Sequence, residues 1–252
     1  HYGYNDFAFD ISKYLTCDGT TENVISVKVV HQTPSSRWYS GSGIYRDVEL
    51  IVTDAVHVSR NGTYVTTPNL ATEKDGDVTV KVQTDVQNDS SAQVAAQIRT
   101  TVLDAEGKAV SEAVTTDVTL AANSTAEKEQ TLKVNKPALW STENPNLYYV
   151  QTEVLVGGKV KDTYKTTYGF RYINFDANTG FSLNGKNVKL KGVCMHHDQG
   201  ALGAASERDA VYRQVEKLKE MGCNAIRTSH NTPSSVLLEA CNELGMMVMD
   251  ET

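Results

Sequence analysis

The pattern of apolar and polar positions changes twice along the chain and divides it into three parts. In the first part, up to residue 53, runs rich in β-branched residues at 23–30 and 48–52 predict strands on either side of a long polar and aromatic loop. Two such strands around one loop cannot enclose a core. We therefore interpret residues 1–53 as the tail of a β-sandwich domain.

The second part, residues 54–172, predicts strands throughout. Residues 78–86 alternate between apolar and polar, as expected of a half-buried strand. Similar runs follow at 92–103, 113–120, 126–134 and 148–156. Turn signals rich in Asn, Asp and Gly separate these runs. About seven short strands in about 100 residues are typical of an immunoglobulin-like β-sandwich.

In the third part, residues 173–252, strands alternate with helices. The predicted strands are 188–193, 224–227 and 246–250. The last of them is expected to be fully buried, because its residues do not alternate in polarity. One helix is expected to begin at Ser206 as N-cap and to end near Gly222. A second is expected to begin at Thr232-Pro233, with proline in its first turn, and to end at Gly245.

Strand, helix, strand, helix, strand is the pattern of parallel βαβ units. It fits half of a doubly wound sheet or the first third of a (β/α)8 barrel. A nucleotide-binding sheet would carry a glycine-rich phosphate loop after its first strand. That position instead holds Cys194-Met195-His196-His197-Asp198, so the barrel is favoured. The predicted fold class is thus multidomain β plus α/β, with an immunoglobulin-like sandwich ahead of the first three strands of an incomplete (β/α)8 barrel.

Charge and composition exclude several classes of partner. The 252 residues carry a formal net charge of −7 and no basic block, which argues against nucleic acid. No apolar run reaches the roughly 18 residues of a membrane span, so no membrane partner is expected. The four cysteines include no CxxC pair, so we predict neither a zinc site nor a disulfide framework, but buried free thiols. They leave the cellular compartment open.

Polar clusters follow all three predicted strands of the third part. They are His196-His197-Asp198, Arg227-Thr228-Ser229-His230-Asn231 and Asp250-Glu251. The carboxyl ends of barrel strands form the functional rim, so we expect these clusters to converge there rather than to be ordinary loop residues. Glu251 fits either a general acid or base or a structural partner of Arg227. No metal site is predicted, because the spacing of a helical zinc pair and a third ligand are both missing.

Five motifs, in order along nearly the whole chain, resemble segments of glycoside hydrolase family 2. They are Arg37-Trp38-Tyr39 within 37–48, Leu139-Trp140-Ser141 with 144–148, Gly169-Phe170-Arg171, 181–186 with Lys191-Gly192-Val193, and 226–231. In the family the first ends the sugar-binding jelly roll, the next two belong to the immunoglobulin-like sandwich, and the last two open the catalytic barrel. The resemblance therefore implies that residues 1–53 are the end of a jelly roll.

The resemblance implies a retaining hydrolase, in which one carboxylic acid protonates the leaving oxygen and a second carboxylate attacks the anomeric carbon. In the family both groups are glutamates on later barrel strands. We therefore expect no catalytic glutamate in this chain and no glycosidase activity from it alone. The segment 193–200 and the Arg37-Trp38-Tyr39 loop are most similar to β-galactosidases. The alternatives are a β-glucuronidase, a β-mannosidase or a non-catalytic carbohydrate-binding module.

The resemblance also implies roles for individual residues. His196, His230, Asn231 and Arg37 are expected to contact a β-galactoside or oligosaccharide substrate, and Arg227 is expected to support the nucleophilic glutamate. The motif departs slightly from the family's usual His-Asn-Pro, since a threonine follows Asn231. The resemblance assigns no metal or other cofactor to this chain, and magnesium only to the complete enzyme.

Assembly is a separate expectation. Three strands cannot close a barrel, so their core face would be exposed. We therefore expect the 252-residue chain to self-associate or to be partly disordered after Ile173. The sequence leaves open whether the complete protein forms a homo-oligomer.

Overall fold

The computed structural model describes residues 3–32 and 42–251, and their central part is a seven-stranded β-sandwich. Its strands are β1 (Val56–Thr66), β2 (Asp77–Asn88), β3 (Val94–Leu103), β4 (Val114–Leu120), β5 (Ser124–Asn135), β6 (Tyr148–Val156) and β7 (Lys159–Tyr168). A one-turn helix, α1 (Leu70–Glu73), joins β1 to β2. One sheet has the order β1-β2-β5 and the other β4-β3-β6-β7, with all neighbours antiparallel. The predicted immunoglobulin-like architecture is confirmed.

The sandwich owes its core to alternation within its strands. Along β2 every second residue is buried, and Val78, Val80, Val82 and Val86 are all fully enclosed. Side chains of successive strand residues point to opposite faces, so one apolar face of each sheet closes on the other. The sandwich therefore has a hydrophobic core of its own.

The predicted strands at 23–30 and 48–52 are not formed. The described residues before β1 contain a 3-10 helix, Ser12–Tyr14, and no strand. Val24 and Val52 are 75% and 84% exposed. A strand is stable only when a neighbour pairs with its backbone, and no strand of the described chain lies beside these runs. The assignment of 1–53 to a jelly roll stays a prediction.

The third part begins with a small antiparallel sheet that the sequence pattern did not predict. It consists of β8 (Ile173–Asp176), β9 (Gly180–Leu183) and β10 (Lys186–Asn187). The predicted βαβαβ unit follows and is confirmed, with β11 (Gly192–Met195), α2 (Arg208–Glu220), β12 (Ala225–Thr228), α3 (Ser235–Leu244) and β13 (Met247–Met249). The three strands are parallel in the order β11-β12-β13, and a 3-10 helix, Gly200–Leu202, lies between β11 and α2. Among the described residues no helix combines the length and apolar character needed to cross a membrane.

Both helices start later than predicted. Ser206 is not the N-cap of α2: its backbone N–H donates to the Tyr45 carbonyl, and Glu207 occupies the cap without a side-chain hydrogen bond. The N-cap of α3 is Ser234, whose hydroxyl accepts a hydrogen bond from the first turn. Pro233 therefore precedes the helix instead of lying in its first turn. The predicted ends, at Gly222 and Gly245, agree with the structure.

Burial of β13 and of the cysteines is less complete than predicted. Met247 is buried, but Met249 is 58% exposed, because helices α2 and α3 cover one face of this short sheet. All four cysteines are unpaired, as predicted, yet Cys241 is buried while Cys17 and Cys194 are exposed. Cys194 lies on β11, near the open rim.

The sandwich and the barrel part share a hydrophobic cluster. Trp140, Leu183 and Met247 pack together, and Trp140 is only 2% exposed. The indole Nε1 of Trp140 donates to the carbonyl of Asn242, at 2.8 Å. The loop between β5 and β6 is therefore fixed against α3 and β13. Self-association of the chain stays a prediction.

Candidate functional site

The register of the parallel strands brings the three polar clusters to one edge. Met195 pairs with Thr228 at the end of β11 and β12, and Arg227 pairs with Met249 on β13. The residues that follow each strand therefore start at nearly the same level. This is the rim at which barrel enzymes place their functional groups.

Glu251 joins two of the predicted site residues. Its Oε1 forms an ion pair with Nη2 of Arg227, and its Oε2 lies 3.0 Å from Nδ1 of His230. The side chains of Arg227 and Glu251 are 38% and 25% exposed, so the pair lies at the surface of the rim and not in the core. Of the two roles considered for Glu251, this geometry favours the partner of Arg227.

The electrostatics of the pair keep both groups charged. Partial desolvation tends to raise the pKa of Glu251, but hydrogen bonds from His230 and then Arg227 outweigh it and hold that pKa below its usual range. The pKa of Arg227 is raised, first by its contact with Cys194 and then by Glu251. At neutral pH the rim therefore holds a carboxylate and a guanidinium in direct contact.

Thr228 holds the backbone of Glu251 in place. It is 4% exposed, and its Oγ1 accepts a hydrogen bond from the backbone N–H of Glu251 at 3.0 Å. The same hydroxyl lies 3.4 Å from Oδ1 of Asp250. The chain after β13 is thus tied to the end of β12, which places the Glu251 side chain beside Arg227.

The two histidines expected to contact substrate lie side by side. The rings of His196 and His230 have centroids 5.6 Å apart and planes at 78°, an edge-to-face contact. His196 follows β11 and His230 follows β12, and the peptide bond between Ser229 and His230 is cis. Imidazoles at this spacing can bind neighbouring hydroxyls of one ligand.

Asn231 and Arg37 differ from the other predicted site residues. Asn231 is 7% exposed and lines a cavity of about 30 Å³ beneath the rim, together with His196 and His197. Arg37 lies outside the described residues. The structure therefore brings together Arg227, His196 and His230, with Asn231 behind them.

Sequence reasoning missed the contribution of the first segment to this region. Arg46 donates from Nη1 to the carbonyl of Tyr4 and from Nη2 to that of Thr232, at 2.9 and 2.6 Å. The Tyr4 ring lies 4.7 Å from that of His197. Burial, and then the charge of Arg46, lowers the pKa of His197. Arg46 lies within the segment 37–48 that resembles the end of a jelly roll, but nothing in its sequence position indicated a contact with the loop after β12.

The rim is lined by hydrogen-bond donors and acceptors. No group of three or more His, Cys, Asp or Glu side chains in residues 3–32 and 42–251 is arranged to hold a metal ion. Guanidinium, imidazole and carboxylate groups at 3 Å spacing suit the binding of hydroxyls and of a second carboxylate.

Matches to two family models identify the family of this chain. The model of the glycosyl hydrolases family 2 matches residues 56–171, and the TIM barrel domain model of the same family matches residues 177–252. The chain belongs to glycosyl hydrolase family 2. The family predicted from the five motifs is confirmed.

The similar proteins cover between 78% and 99% of the chain. It is 41% identical over 251 residues to the beta-galactosidase BoGH2A of Bacteroides ovatus, which is 99% of this chain and 29% of that protein. A family 2 crystal structure from Bacteroides cellulosilyticus matches with a TM-score of 0.83 and 41% identity, covering 89% of this chain and 30% of that one. The crystal structure of Bacteroides uniformis beta-glucuronidase matches with a TM-score of 0.71 and 30% identity, covering 78% and 24%.

The names of these similar proteins refer to two different substrates. The chain spans less than a third of each of them. The relatives are glycoside hydrolases, and this coarse class is common to all that are named. The choice between a galactoside and a glucuronide is not made by the similarity alone.

Proposed function

We propose that the protein to which this chain belongs is a retaining glycosidase that acts on terminal β-galactosides. The observation that carries this proposal is the cluster of Arg227, His230 and Glu251 at the ends of the parallel strands. In this role His196, His230, Asn231 and Arg37 bind the sugar, and Arg227 supports the nucleophile. In this proposal both catalytic glutamates belong to barrel strands later than β13.

Arg227 has the chemistry that this role requires. Its guanidinium has two terminal nitrogens, and Glu251 pairs with one of them, Nη2. Nη1 lies 3.4 Å from both Cys194 Sγ and Ser229 Oγ, which are weak partners compared with a carboxylate. A nucleophilic carboxylate bound at Nη1 would be kept ionised and oriented by a charge-assisted hydrogen bond.

The charges at the rim favour an uncharged sugar as the substrate. A glucuronide carries a carboxylate, which needs a cation in the binding site. Nη2 of Arg227 is paired with Glu251, and this proposal assigns Nη1 to the nucleophile, so neither terminal nitrogen of that guanidinium is left for a uronate. A galactoside presents only hydroxyls, which the imidazoles of His196 and His230 can bind.

The test uses the complete protein, at the length of its relatives, with matched chromogenic β-galactoside, β-glucuronide and β-mannoside. We expect the highest kcat/KM on the galactoside, and a fall of about a hundredfold in His230→Ala, the size seen when one transition-state hydrogen bond is removed. The control is His57→Gln, a histidine of the sandwich whose Nδ1 contacts the Asp54 carbonyl. The 252-residue chain alone is expected to show no turnover.

Other outcomes separate the alternatives. A preference for the glucuronide or mannoside would support a glycosidase but would contradict the choice of a galactoside as its substrate. Absence of turnover on every glycoside, together with measurable sugar binding, would favour a carbohydrate-binding module instead.

A further inference from the structure

We infer that Glu251 is a positioning residue, which holds the proton of His230 on Nδ1 and fixes the guanidinium of Arg227. This inference rests on the proposed function, because it assigns how those two residues meet the substrate. It assigns a role to a carboxylate that the proposed function does not otherwise use.

The proton position follows from the partners of one nitrogen. Nδ1 of His230 lies 3.0 Å from Oε2 of Glu251 and 3.3 Å from Nη2 of Arg227. A carboxylate only accepts hydrogen bonds and a guanidinium only donates them, so Nδ1 can serve one of the two. The carboxylate contact is shorter and charge-assisted, and it therefore decides in favour of a protonated Nδ1.

This tautomer sets what His230 can do at its other nitrogen. In the neutral ring with Nδ1 protonated, Nε2 carries the lone pair. Any group that bonds to Nε2 must then donate the hydrogen, as a sugar hydroxyl can. In that form His230 accepts a hydrogen bond from the substrate at Nε2.

The same carboxylate fixes Arg227. Because the guanidinium is a rigid planar fork, the ion pair at Nη2 determines where Nη1 points. Nη1 is consequently held toward Cys194 and Ser229, at 3.4 Å from each. One side chain thereby orients two groups of the rim.

Glu251 can do this because its own backbone is held. Its N–H donates to Oγ1 of buried Thr228, at 3.0 Å, and β13 is in register with β12 just before it. The carboxylate therefore starts from a fixed point on the strands. This matches the general requirement that groups touching substrate are held by partners one layer further out.

The experiment compares Glu251→Gln, Glu251→Asp and Glu251→Ala in the complete protein. Arg227 and His230 donate to different oxygens of Glu251, and glutamine replaces one of those oxygens with an NH2 group that only donates, so one of the two contacts is lost. We expect kcat to fall about ten- to a hundredfold in Glu251→Gln, with KM changed less than about threefold, as for other orienting partners. Aspartate keeps the charge and should restore part of the loss, whereas alanine should restore none.

Glu239→Gln is the matched control. Glu239 pairs with Arg208 at 2.5 Å on the surface of α3 and α2, so this variant also breaks a glutamate–arginine pair. A merely structural role for Glu251 would lower the unfolding temperature without changing kcat. Our inference predicts that Glu251→Gln lowers kcat, whereas the unfolding temperatures of the two glutamine variants lie within a few degrees of each other.

A second measurement does not depend on turnover. Nitrogen-15 spectra of histidine-labelled protein distinguish Nδ1-protonated from Nε2-protonated imidazole. We expect the Nδ1-H form for His230 in the wild type and its loss in Glu251→Gln. If the wild type cleaves no glycoside, the proposed function fails and these spectra still test Glu251. An Nε2-H tautomer in the wild type, or an unchanged kcat in Glu251→Gln of an active enzyme, would overturn the inference.

Discussion

Cys194 shows how the neighbours of one residue set its reactivity. It is exposed on the rim, with Sγ 3.4 Å from Nη1 of Arg227. A hydrogen bond with Ser229, and then the one with Arg227, lowers the pKa of this thiol. Cys241 is the opposite case, because burial raises its pKa to about 12.

We predict that Cys194 is alkylated by iodoacetamide at lower pH than an ordinary thiol. The thiolate is the reactive form, so a lowered pKa gives more of it at any pH below that of a free cysteine, about 8.5. The measurement is the rate of modification against pH, followed by peptide mass spectrometry, with Cys241 as the protected reference. Arg227→Gln should move the midpoint upward. A midpoint at or above that of free cysteine would contradict the prediction.

At the scale of elements, the glycines that end the two helices differ in their surroundings. Gly245 ends α3 with φ +74°, and a Cβ at this position would lie 2.5 Å from the Thr142 carbonyl oxygen. Gly222 follows α2 with φ +90°, and a Cβ there would meet nothing within 4 Å. Both helix ends need a left-handed residue, but Gly245 also allows the sandwich loop to approach.

We predict that Gly222→Ala lowers the free energy of unfolding by about 1 kcal/mol, the usual penalty of a left-handed alanine. Gly245→Ala has the same penalty and adds a backbone clash, so its effect should be larger by about 1–3 kcal/mol. Urea denaturation of the two variants measures the difference. Equal losses would show that the Thr142 loop moves away without resistance.

At the scale of the whole molecule, Trp140 couples the sandwich to the barrel part. Its indole is buried with Leu183 and Met247 and donates to the Asn242 carbonyl. Lys219 adds a second tie, with Nζ donating to the carbonyls of Thr142 and Gly245 at 2.5 and 3.0 Å. The two folding units therefore stabilise each other.

We predict that Trp140→Ala lowers the free energy of unfolding by about 3–5 kcal/mol and separates one thermal transition into two. The buried cluster would lose its largest member, and the barrel part would unfold before the sandwich. Scanning calorimetry is the measurement. Ile98→Ala, a fully buried change inside the sandwich, is the control and should cost about 2–5 kcal/mol. A single transition in Trp140→Ala would mean that the coupling lies elsewhere.

The sequence by itself determined the sandwich and the βαβαβ unit. Alternation along β2, the apolar face of α3 and the glycines after both helices are local signals, because side-chain direction and backbone conformation repeat within a few residues. The convergence of the three polar clusters also followed from sequence, since parallel strands present their ends to one edge. The family motifs added the expected roles of Arg227, His196 and His230.

Only the tertiary structure decided which of these local signals were used. The apolar runs at 23–30 and 48–52 have strand composition but no neighbouring strand among the residues that the structure describes, and pairing depends on residues distant in the sequence. Ser206 does not cap α2, and its N–H donates to the carbonyl of Tyr45 in another part of the chain. Likewise, Glu251 could have been an acid or a partner, and its distances to Arg227 and His230 made it the partner. Contacts between distant segments depend on how the elements pack, and a one-dimensional pattern does not contain that information.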